Sequence, residues 1–190
     1  MYGDGDFFEM KGVVAEFLDK VGMDKKKDYD PKAGKNFLHP GRQALIRYEG
    51  EEIGYLGEVH PQVADNYGIG TRVYVAVLDI LQVVKFATYD RKYEGIARFP
   101  AVNRDISMVV PKDIMVGDIE KMIAQRGGKI LEHYELFDIY EGDQIQAGYK
   151  SVAYSITFRS KEKTLGEAEV TGAMKKILNG LESMGIQLRK

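Results

Sequence analysis

The sequence contains no cysteine among its 190 residues. Disulfide bonds and thiolate metal sites are therefore excluded, and a reducing, cytoplasmic setting fits this composition. Long apolar runs are also missing, since no stretch approaches the about 20 residues that a membrane-spanning helix needs. The first ten residues have neither a basic start nor an apolar core, so we expect no signal peptide there.

The number of histidines and the magnitude of the net charge are small as well. The three histidines, His39, His60 and His133, lie far apart in sequence without a partner at ligand spacing, so we expect no metal site. A formal net charge of −2 argues against bulk binding of duplex nucleic acid, but it leaves recognition of a few exposed bases open. Neither a Ser/His/Asp constellation nor a phosphate-binding glycine loop is present. We therefore predict no catalytic, cofactor or metal residues.

The first half of the chain carries the pattern of a partial α+β domain. Its predicted elements are a helix opened by an Asp6–Glu9 capping box and stopped at Gly22, a hairpin of Ala44–Tyr48 and Ile53–Val59, a short helix after His60, a strand Arg72–Leu78, and a helix capped by Asp79. Between the first helix and the hairpin we predict only loop, with three lysines at residues 25–27. Residues 39–42, His-Pro-Gly-Arg, are predicted as a rigid turn before a strand. Residues 88–97 are polar and are predicted to be a linker.

The second half has a clearer order of elements. They are a strand Arg104–Val110, a helix Val116–Arg126, strands Ile130–Tyr140 and Lys150–Arg159, a helix opened by a capping box at Thr164–Glu167, and a short strand Ile186–Arg189. This βαββαβ order is that of the ferredoxin-like fold with an antiparallel sheet. Both helices of that fold cover one face of the sheet, and the other face is left open.

The open face is the best candidate for a binding surface. Small or polar residues alternate with large apolar ones along the strand from Lys150, at Ser151, Ala153, Ser155, Thr157 and Arg159. On the strand before it we place Phe137 and Ile139 toward the helices. The remaining residues predicted for the open face are Leu136, Asp138, Tyr140, Asp105 and Ser107.

The residue types of this face are those that bind single-stranded RNA: carboxylates and hydroxyls that form hydrogen bonds, a tyrosine, and nearby arginines. The carboxylates and hydroxyls are suited to base edges, Tyr140 to stacking, and Arg98, Arg104 and Arg159 to phosphates. The residues by themselves leave two other interpretations open. In one, the face is only solvated; in the other, a further domain covers it.

Several motifs, in order, resemble those near the C-terminus of the bacterial phenylalanyl-tRNA synthetase beta subunit family. They are DFFEMKG (6–12), FLHPGR (37–42), GYLGEVHP (54–61), RFPAVNRDISMVV (98–110), LFDIYEG (136–142) and SITFRSKEKTL (155–165). The resemblance covers essentially the whole chain. It implies a C-terminal fragment with part of a catalytic-like, inactive class II module in residues 1–90 and a ferredoxin-fold anticodon-binding domain in residues 97–190.

The resemblance also implies the partners and the reaction. The complete enzyme would be a heterotetramer of two alpha and two beta subunits that uses ATP and magnesium to attach phenylalanine to tRNA(Phe), with the active site in the alpha subunit. In this chain Asp138 and Tyr140 match the family pattern on the anticodon face. Asn103 departs from the family, because several members have arginine there and one backbone cation is missing here.

The implied contacts fall into two sets. The predicted tRNA-binding residues are Arg98, Arg104, Asp105, Ser107, Asp138, Tyr140, Ser155, Thr157 and Arg159. The predicted contacts to the alpha subunit are Phe7, Phe8, His39 and Arg42. Two rival functions remain, an amino-acid-binding regulatory module and a purely structural interaction domain.

Overall fold

The computed structural model describes residues 1–24, 26–90, 95–142 and 144–189. Lys25 of the predicted lysine loop, residues 91–94 of the predicted linker and Asp143 lie outside the described residues. The chain divides into two compact units, Met1–Tyr93 and Glu94–Lys190.

The first unit is a four-stranded antiparallel sheet with three helices. Its elements are α1 (Phe7–Lys20), β1 (Lys27–Asp30), β2 (Leu38–Tyr48), β3 (Glu51–Val59), α2 (Pro61–Asn66), β4 (Tyr74–Leu78) and α3 (Ile80–Phe86). The strands lie in the order β1-β2-β3-β4. Residues from α1, α3 and the central strands form its core, including Val14, Leu18, Ile46, Leu56 and Val83.

The predicted start and stop of α1 are confirmed. The Glu9 backbone N–H donates to Asp6 Oδ1 at 2.8 Å, and the Asp6 backbone N–H donates to Glu9 Oε2 at 3.2 Å. These two bonds satisfy backbone donors at the helix start. Gly22 follows the helix with φ +81°, the left-handed conformation that glycine adopts without steric cost.

Gly22→Ala is expected to destabilise the first unit by about 2 kcal/mol or more, because a left-handed non-glycine residue costs about 1–2 kcal/mol and crowding adds to it. A Cβ at Gly22 would overlap the backbone carbonyl oxygen of Thr88. Gly34, with φ +65° and open space around its Cα, provides the matched control. Denaturant unfolding of both variants measures the difference, and an equal loss for Gly34→Ala would show that the Thr88 contact costs nothing.

Two features of the first unit differ from the sequence prediction. Strand β1 was predicted as loop, yet Lys27–Asp30 pairs with β2 from Lys27 opposite Tyr48 to Asp30 opposite Leu45. The His39–Arg42 segment, predicted as a turn before a strand, lies within β2 as a wide bulge. Leu38 pairs with Val59 and Gln43 with Gly57, so four residues of β2 oppose Glu58 alone.

The second unit has the predicted ferredoxin-like topology, so the α+β class with antiparallel sheets is confirmed. Its elements are β5 (Val102–Pro111), α4 (Val116–Gly127), β6 (Leu131–Tyr140), β7 (Tyr149–Phe158), α5 (Glu167–Glu182) and β8 (Gln187–Leu188), with a short 3₁₀ turn at Gly128–Ile130. The strand order is β6-β7-β5-β8, and each pairing is antiparallel. The two helices pack on the same face, because residues of both belong to one core with alternate residues of β5 and β7.

The predicted capping box at the start of α5 is wrong. The helix begins at Glu167, with Gly166 as its N-cap in an extended conformation. The Gly166 backbone N–H donates to Glu169 Oε2 at 3.2 Å. Leu165, which would be the first helical residue after a Thr164 N-cap, is instead buried in the core ahead of the helix, and the helix starts two residues later than the Thr164 motif suggests.

Candidate nucleic-acid interface

The open face is the face of the second unit's sheet that lies opposite α4 and α5. Directly opposed residues of antiparallel strands point to the same face, so the strand register identifies its members. Ile106, Met108 and Val110 of β5 and Val152, Tyr154, Ile156 and Phe158 of β7 are buried on the helix side. The rows on the open face, written from β6 through β7 to β5, are Tyr140–Ser151–Val109, Asp138–Ala153–Ser107, Glu135–Ser155–Asp105 and His133–Thr157–Asn103.

A bulge at Phe137 sets the orientation of β6 and corrects part of the sequence prediction. Leu136 pairs with Tyr154 and Asp138 with Ala153, so Phe137 is the extra residue. Leu136 packs against the helix-side core, whereas it was predicted on the open face. Phe137 is 57% exposed, whereas it was predicted to lie beneath the helices.

Beyond the bulge the register agrees with the predicted phase. Asp138 is opposite Ala153 and Tyr140 is opposite Ser151, and both partners alternate along β7 with the helix-side core residues Val152 and Tyr154. Asp105, Ser107, Ser155 and Thr157 occupy the same face. The geometry that an anticodon platform needs is therefore present for six of the nine predicted tRNA-binding residues.

Sequence reasoning missed Glu135 and His133 on the open face. Before the bulge the odd-numbered residues of β6 face outward, and after it the even-numbered ones do. The sequence prediction assigned no face to Glu135, and the single phase it used for Leu136–Tyr140 does not extend back across the bulge. The adjacent large residues Leu136 and Phe137 were the available signal for a change of phase.

Three carboxylates give the open face its electrostatic character. Asp105 on β5 and Glu135 and Asp138 on β6 are exposed and occupy two adjacent register rows, and the four rows as written across β6, β7 and β5 contain no lysine or arginine. Arg189, whose backbone N–H donates to the Ser107 carbonyl oxygen at 2.8 Å, is an exposed cation at the β8 edge of the sheet. Ionised carboxylates only accept hydrogen bonds. This face therefore complements groups that donate hydrogen bonds, such as the amino and imino groups of exposed bases, and it repels phosphates.

Tyr140 is held in place while one side of its ring stays accessible. The ring packs on Gly142 so closely that a Cβ on that glycine would overlap the phenol, yet 39% of Tyr140 is exposed. Lys112 Nζ donates to Glu141 Oε2 at 2.6 Å, and this bond lowers the pKa of the Glu141 carboxyl. The residue after Tyr140 is thereby tied to the end of β5, which helps to fix the ring.

The three predicted phosphate-binding arginines are in different environments. Arg98 is exposed and has no hydrogen bond or ion pair with the described residues. Arg159 Nε donates to Glu132 Oε2 at 2.9 Å and Arg159 Nη1 donates to the Phe99 carbonyl at 3.4 Å. Arg104 lies opposite the buried Ile156 on the helix side, where its Nη2 donates to both carboxylate oxygens of Glu167 at 2.8 and 2.7 Å.

On the expectation that the second unit binds tRNA, Arg104→Gln should leave tRNA affinity within about twofold, whereas Arg98→Gln should lower the slope of log affinity against log salt by about one. The reason is that Arg104 is directed away from the open face and Arg98 is not committed to another described residue. Filter binding of tRNA to the complete ligase at several salt concentrations measures both slopes. A reduced slope for Arg104→Gln would show that this guanidinium leaves Glu167 to meet a phosphate.

The four predicted subunit contacts are also in different environments. Phe8 is 72% exposed, while Phe7 packs against the core of the first unit and meets Phe8 edge-on at 5.6 Å between ring centres. His39 and Arg42 lie in the bulge of β2, where Arg42 contacts the buried Glu58. Only Phe8 of this set presents a large free apolar surface.

Neither a metal-binding cluster nor a membrane-spanning helix is present among the described residues. No three histidine or acidic residues of the described ranges are arranged to hold a metal ion. No helix in this part of the chain is long and apolar enough to cross a membrane.

Comparison with known families agrees with this two-unit description. The family model "Ferredoxin-fold anticodon binding domain" matches residues 97–189, and the model "Phenylalanyl tRNA synthetase beta chain CLM domain" matches residues 3–80. The class of the second unit is thus an anticodon-binding domain of ferredoxin fold, joined to a synthetase-derived domain. The chain belongs to the phenylalanine–tRNA ligase beta subunit family, which confirms the resemblance inferred from its motifs.

The curated relatives are considerably longer than this chain. It is 40% identical over all 190 residues to the phenylalanine–tRNA ligase beta subunits of Clostridium acetobutylicum and Clostridium tetani, in each case covering 24% of the relative. It is 39% identical over 177 residues to the Bacillus subtilis beta subunit, covering 93% of this chain and 22% of the relative. The chain therefore spans about a quarter of the length of these relatives. Among solved structures, Arabidopsis thaliana MSL1 A320V matches 95% of this chain and 59% of its own at 10% identity and a TM-score of 0.34, which establishes no common fold.

Proposed function

We propose that residues 97–190 bind the anticodon stem-loop of tRNA(Phe) on the open face, within a complete phenylalanine–tRNA ligase. The observation that carries this proposal is the placement of Asp138 and Tyr140 on the side of the sheet away from both helices, beside a floor of small side chains. Tyr140 stacks on one exposed base. Asp138, Ser107, Ser155 and Thr157 hydrogen-bond to base edges or ribose hydroxyls.

The charge of the open face supports a particular orientation of the RNA. Asp105, Glu135 and Asp138 repel phosphates, so the bases point toward the sheet and the backbone stays at its rim. Arg98 and Arg159 are the candidate cations of that rim, and Arg104 is left out of the interface because Glu167 occupies it. Few phosphates are then neutralised, and the affinity depends more on stacking and hydrogen bonds than on salt.

The first unit supports the alpha subunit in the same proposal. Phe8 is the leading contact, because an exposed phenylalanine is well suited to a protein interface. ATP with magnesium is a substrate of the complete heterotetramer of two alpha and two beta subunits, and we assign it no site in this chain. Binding energy gained at the anticodon would hold the acceptor end of the tRNA in register with the distant alpha-subunit active site. A cytoplasmic setting belongs to this proposal.

A footprint of tRNA(Phe) on the complete ligase tests the proposal. We expect hydroxyl-radical protection of anticodon-loop nucleotides, and we expect that protection to disappear in the Asp138→Ala/Tyr140→Ala double variant. A tRNA of the same body with altered anticodon bases should lose protection in the same nucleotides. Protection confined to other parts of the tRNA, together with a sheet shielded by protein, would favour a structural interaction domain instead.

A further inference from the structure

A polar cleft in the first unit shares no residue with the open face. Its volume is about 570 Å³, and it lies beside the β2 bulge, where His39 and Arg42 face the chain segment around Thr71 and Arg72. A volume of about 300–1,000 Å³ is typical of small-molecule sites in proteins. We call this feature the Arg42 cleft.

A buried carboxylate holds the Arg42 guanidinium that lines this cleft. Arg42 Nη1 donates to Glu58 Oε2 at 2.9 Å, and only 4% of the Glu58 side chain is exposed, against 42% for Arg42. Burying a carboxylate costs free energy that its partner must offset. Because only one nitrogen of Arg42 is used by Glu58 and the side chain is 42% exposed, its remaining N–H donors are accessible from the cleft.

Other donors line the same cleft. The Gly41 backbone N–H donates to His39 Nδ1 at 3.1 Å, so in the neutral imidazole the proton is on Nε2, which is then a donor. Arg72 lines the cleft as a second guanidinium and has no side-chain hydrogen bond or ion pair with the described residues. Two carboxylates, Glu58 and Asp65, also line the cleft, but Glu58 is paired with Arg42, so the remaining donors still outnumber the acceptors of Asp65.

Apolar side chains form the rest of the lining. Val59, Pro61, Ala64 and Ile69 contribute to it, and Ile69 is 36% exposed. A ligand that complements the whole cleft therefore has an anionic head for the arginines and an apolar body for this wall. Arginine suits carboxylate and phosphate equally, because its planar fork matches the oxygens of both.

We propose that the Arg42 cleft is a binding site for a small organic anion, with a carboxylate or phosphate head held by Arg42 and Arg72 and an apolar body against Val59 and Ile69. Glu58 acts through Arg42 as a positioning residue, since it sets the direction of the guanidinium. The site is separate from the open face and does not depend on the anticodon-binding proposal.

Titration of the 190-residue chain by two-dimensional NMR tests this site. The probes are hexanoate for a carboxylate head, n-butyl phosphate for a phosphate head, and hexanamide as the neutral control. We expect saturable shifts of the Gly70, Thr71 and Arg72 amides with at least one anion and none with hexanamide. The stronger of the two anions identifies the head group.

Two variants test the roles of the two guanidinium groups in anion binding. Arg72→Gln removes one guanidinium that the fold does not use, and we expect it to weaken anion binding about tenfold. Arg42→Lys retains a positive charge beside Glu58 and loses the planar fork, so a folded protein with weakened binding is expected. The proposal is overturned if a chain with native spectra binds neither anion with a dissociation constant below about 10 mM. A specific site for either anion would be detected within that limit.

The same titration on the assembled ligase separates a small ligand from a protein partner. Retained hexanoate or n-butyl phosphate binding in the complex supports the small-anion site. Loss of binding on addition of the alpha subunit would overturn it and assign the Arg42 cleft to that subunit. Neither result bears on anticodon protection, so the two proposals fail independently.

Discussion

Tyr140→Ala in the complete ligase is expected to lower tRNA use on the order of tenfold, because base–aromatic stacking is worth about 1–3 kcal/mol per base. The ring has the two properties that stacking needs. It is partly exposed on the open face, and it is held by its packing on Gly142. Aminoacylation measured at limiting tRNA(Phe) gives the change in kcat/KM.

The design separates tRNA binding from chemistry. Phenylalanine activation, followed by ATP–pyrophosphate exchange, should be unchanged, because the proposed active site is in the alpha subunit. Tyr67→Ala is the matched control, since Tyr67 is 79% exposed and belongs to the first unit. Equal loss of activation and of tRNA use in Tyr140→Ala would indicate a folding defect and would remove the support for stacking.

Asp138→Asn tests whether the Asp138 carboxylate recognises a base. The amide has nearly the same shape as the carboxylate but adds a donor and loses the charge. If Asp138 accepts hydrogen bonds from a base, the variant should weaken tRNA use and also change the preference among tRNAs with altered anticodon bases. An equal effect on all anticodons would indicate that Asp138 contributes only general charge.

Topology was the most predictable part of the second unit. Alternating residues such as Ile106, Met108 and Val110 identify a strand with one buried face, and helical spacing identifies α5. Their order along the chain then leaves few arrangements, because helices of a βαββαβ unit cover one side of the sheet. The placement of Asp105, Ser107, Ser155 and Thr157 follows directly from this periodicity.

The orientation of β6 was predictable only on one side of Phe137. Because side chains alternate between the two faces of a sheet, one known residue predicts the face of its neighbours along a strand. One extra residue at a bulge exchanges the faces of all side chains beyond it. Leu136 and Phe137 are similar in hydrophobicity, so composition does not show which is buried. Pairing with Tyr154 and Ala153 of β7 decides the matter, and that is a property of the fold.

Contacts distant in sequence account for the other differences. Arg104 precedes Glu167 by 63 residues. The residues near Arg104 in sequence therefore do not indicate that it will pair with a carboxylate at the start of α5. Strand β1 has only four residues, and it forms by pairing with the edge of β2. The bulge of β2 likewise depends on Glu58 of the neighbouring strand, which carries the ion pair with Arg42.

Phe158→Ala is expected to destabilise the second unit by about 3–5 kcal/mol, the usual cost of truncating a buried phenylalanine and leaving a cavity. Phe158 is completely buried at the end of β7, in the core between the sheet and both helices. Its loss removes apolar burial from the layer that positions the open face. Denaturant unfolding followed by NMR signals of β7 residues assigns the change to this unit.

Phe137→Ala provides the matched control within the same sheet. Phe137 is 57% exposed at the bulge, so its truncation should change the free energy of unfolding by less than about 0.5 kcal/mol. A loss for Phe137→Ala that approached the loss for Phe158→Ala would place Phe137 beneath the helices. Alternation from a buried Phe137 would still leave Asp138 and Tyr140 on the open face, so that result would remove the bulge and turn Leu136 outward without removing either residue from the proposed anticodon surface.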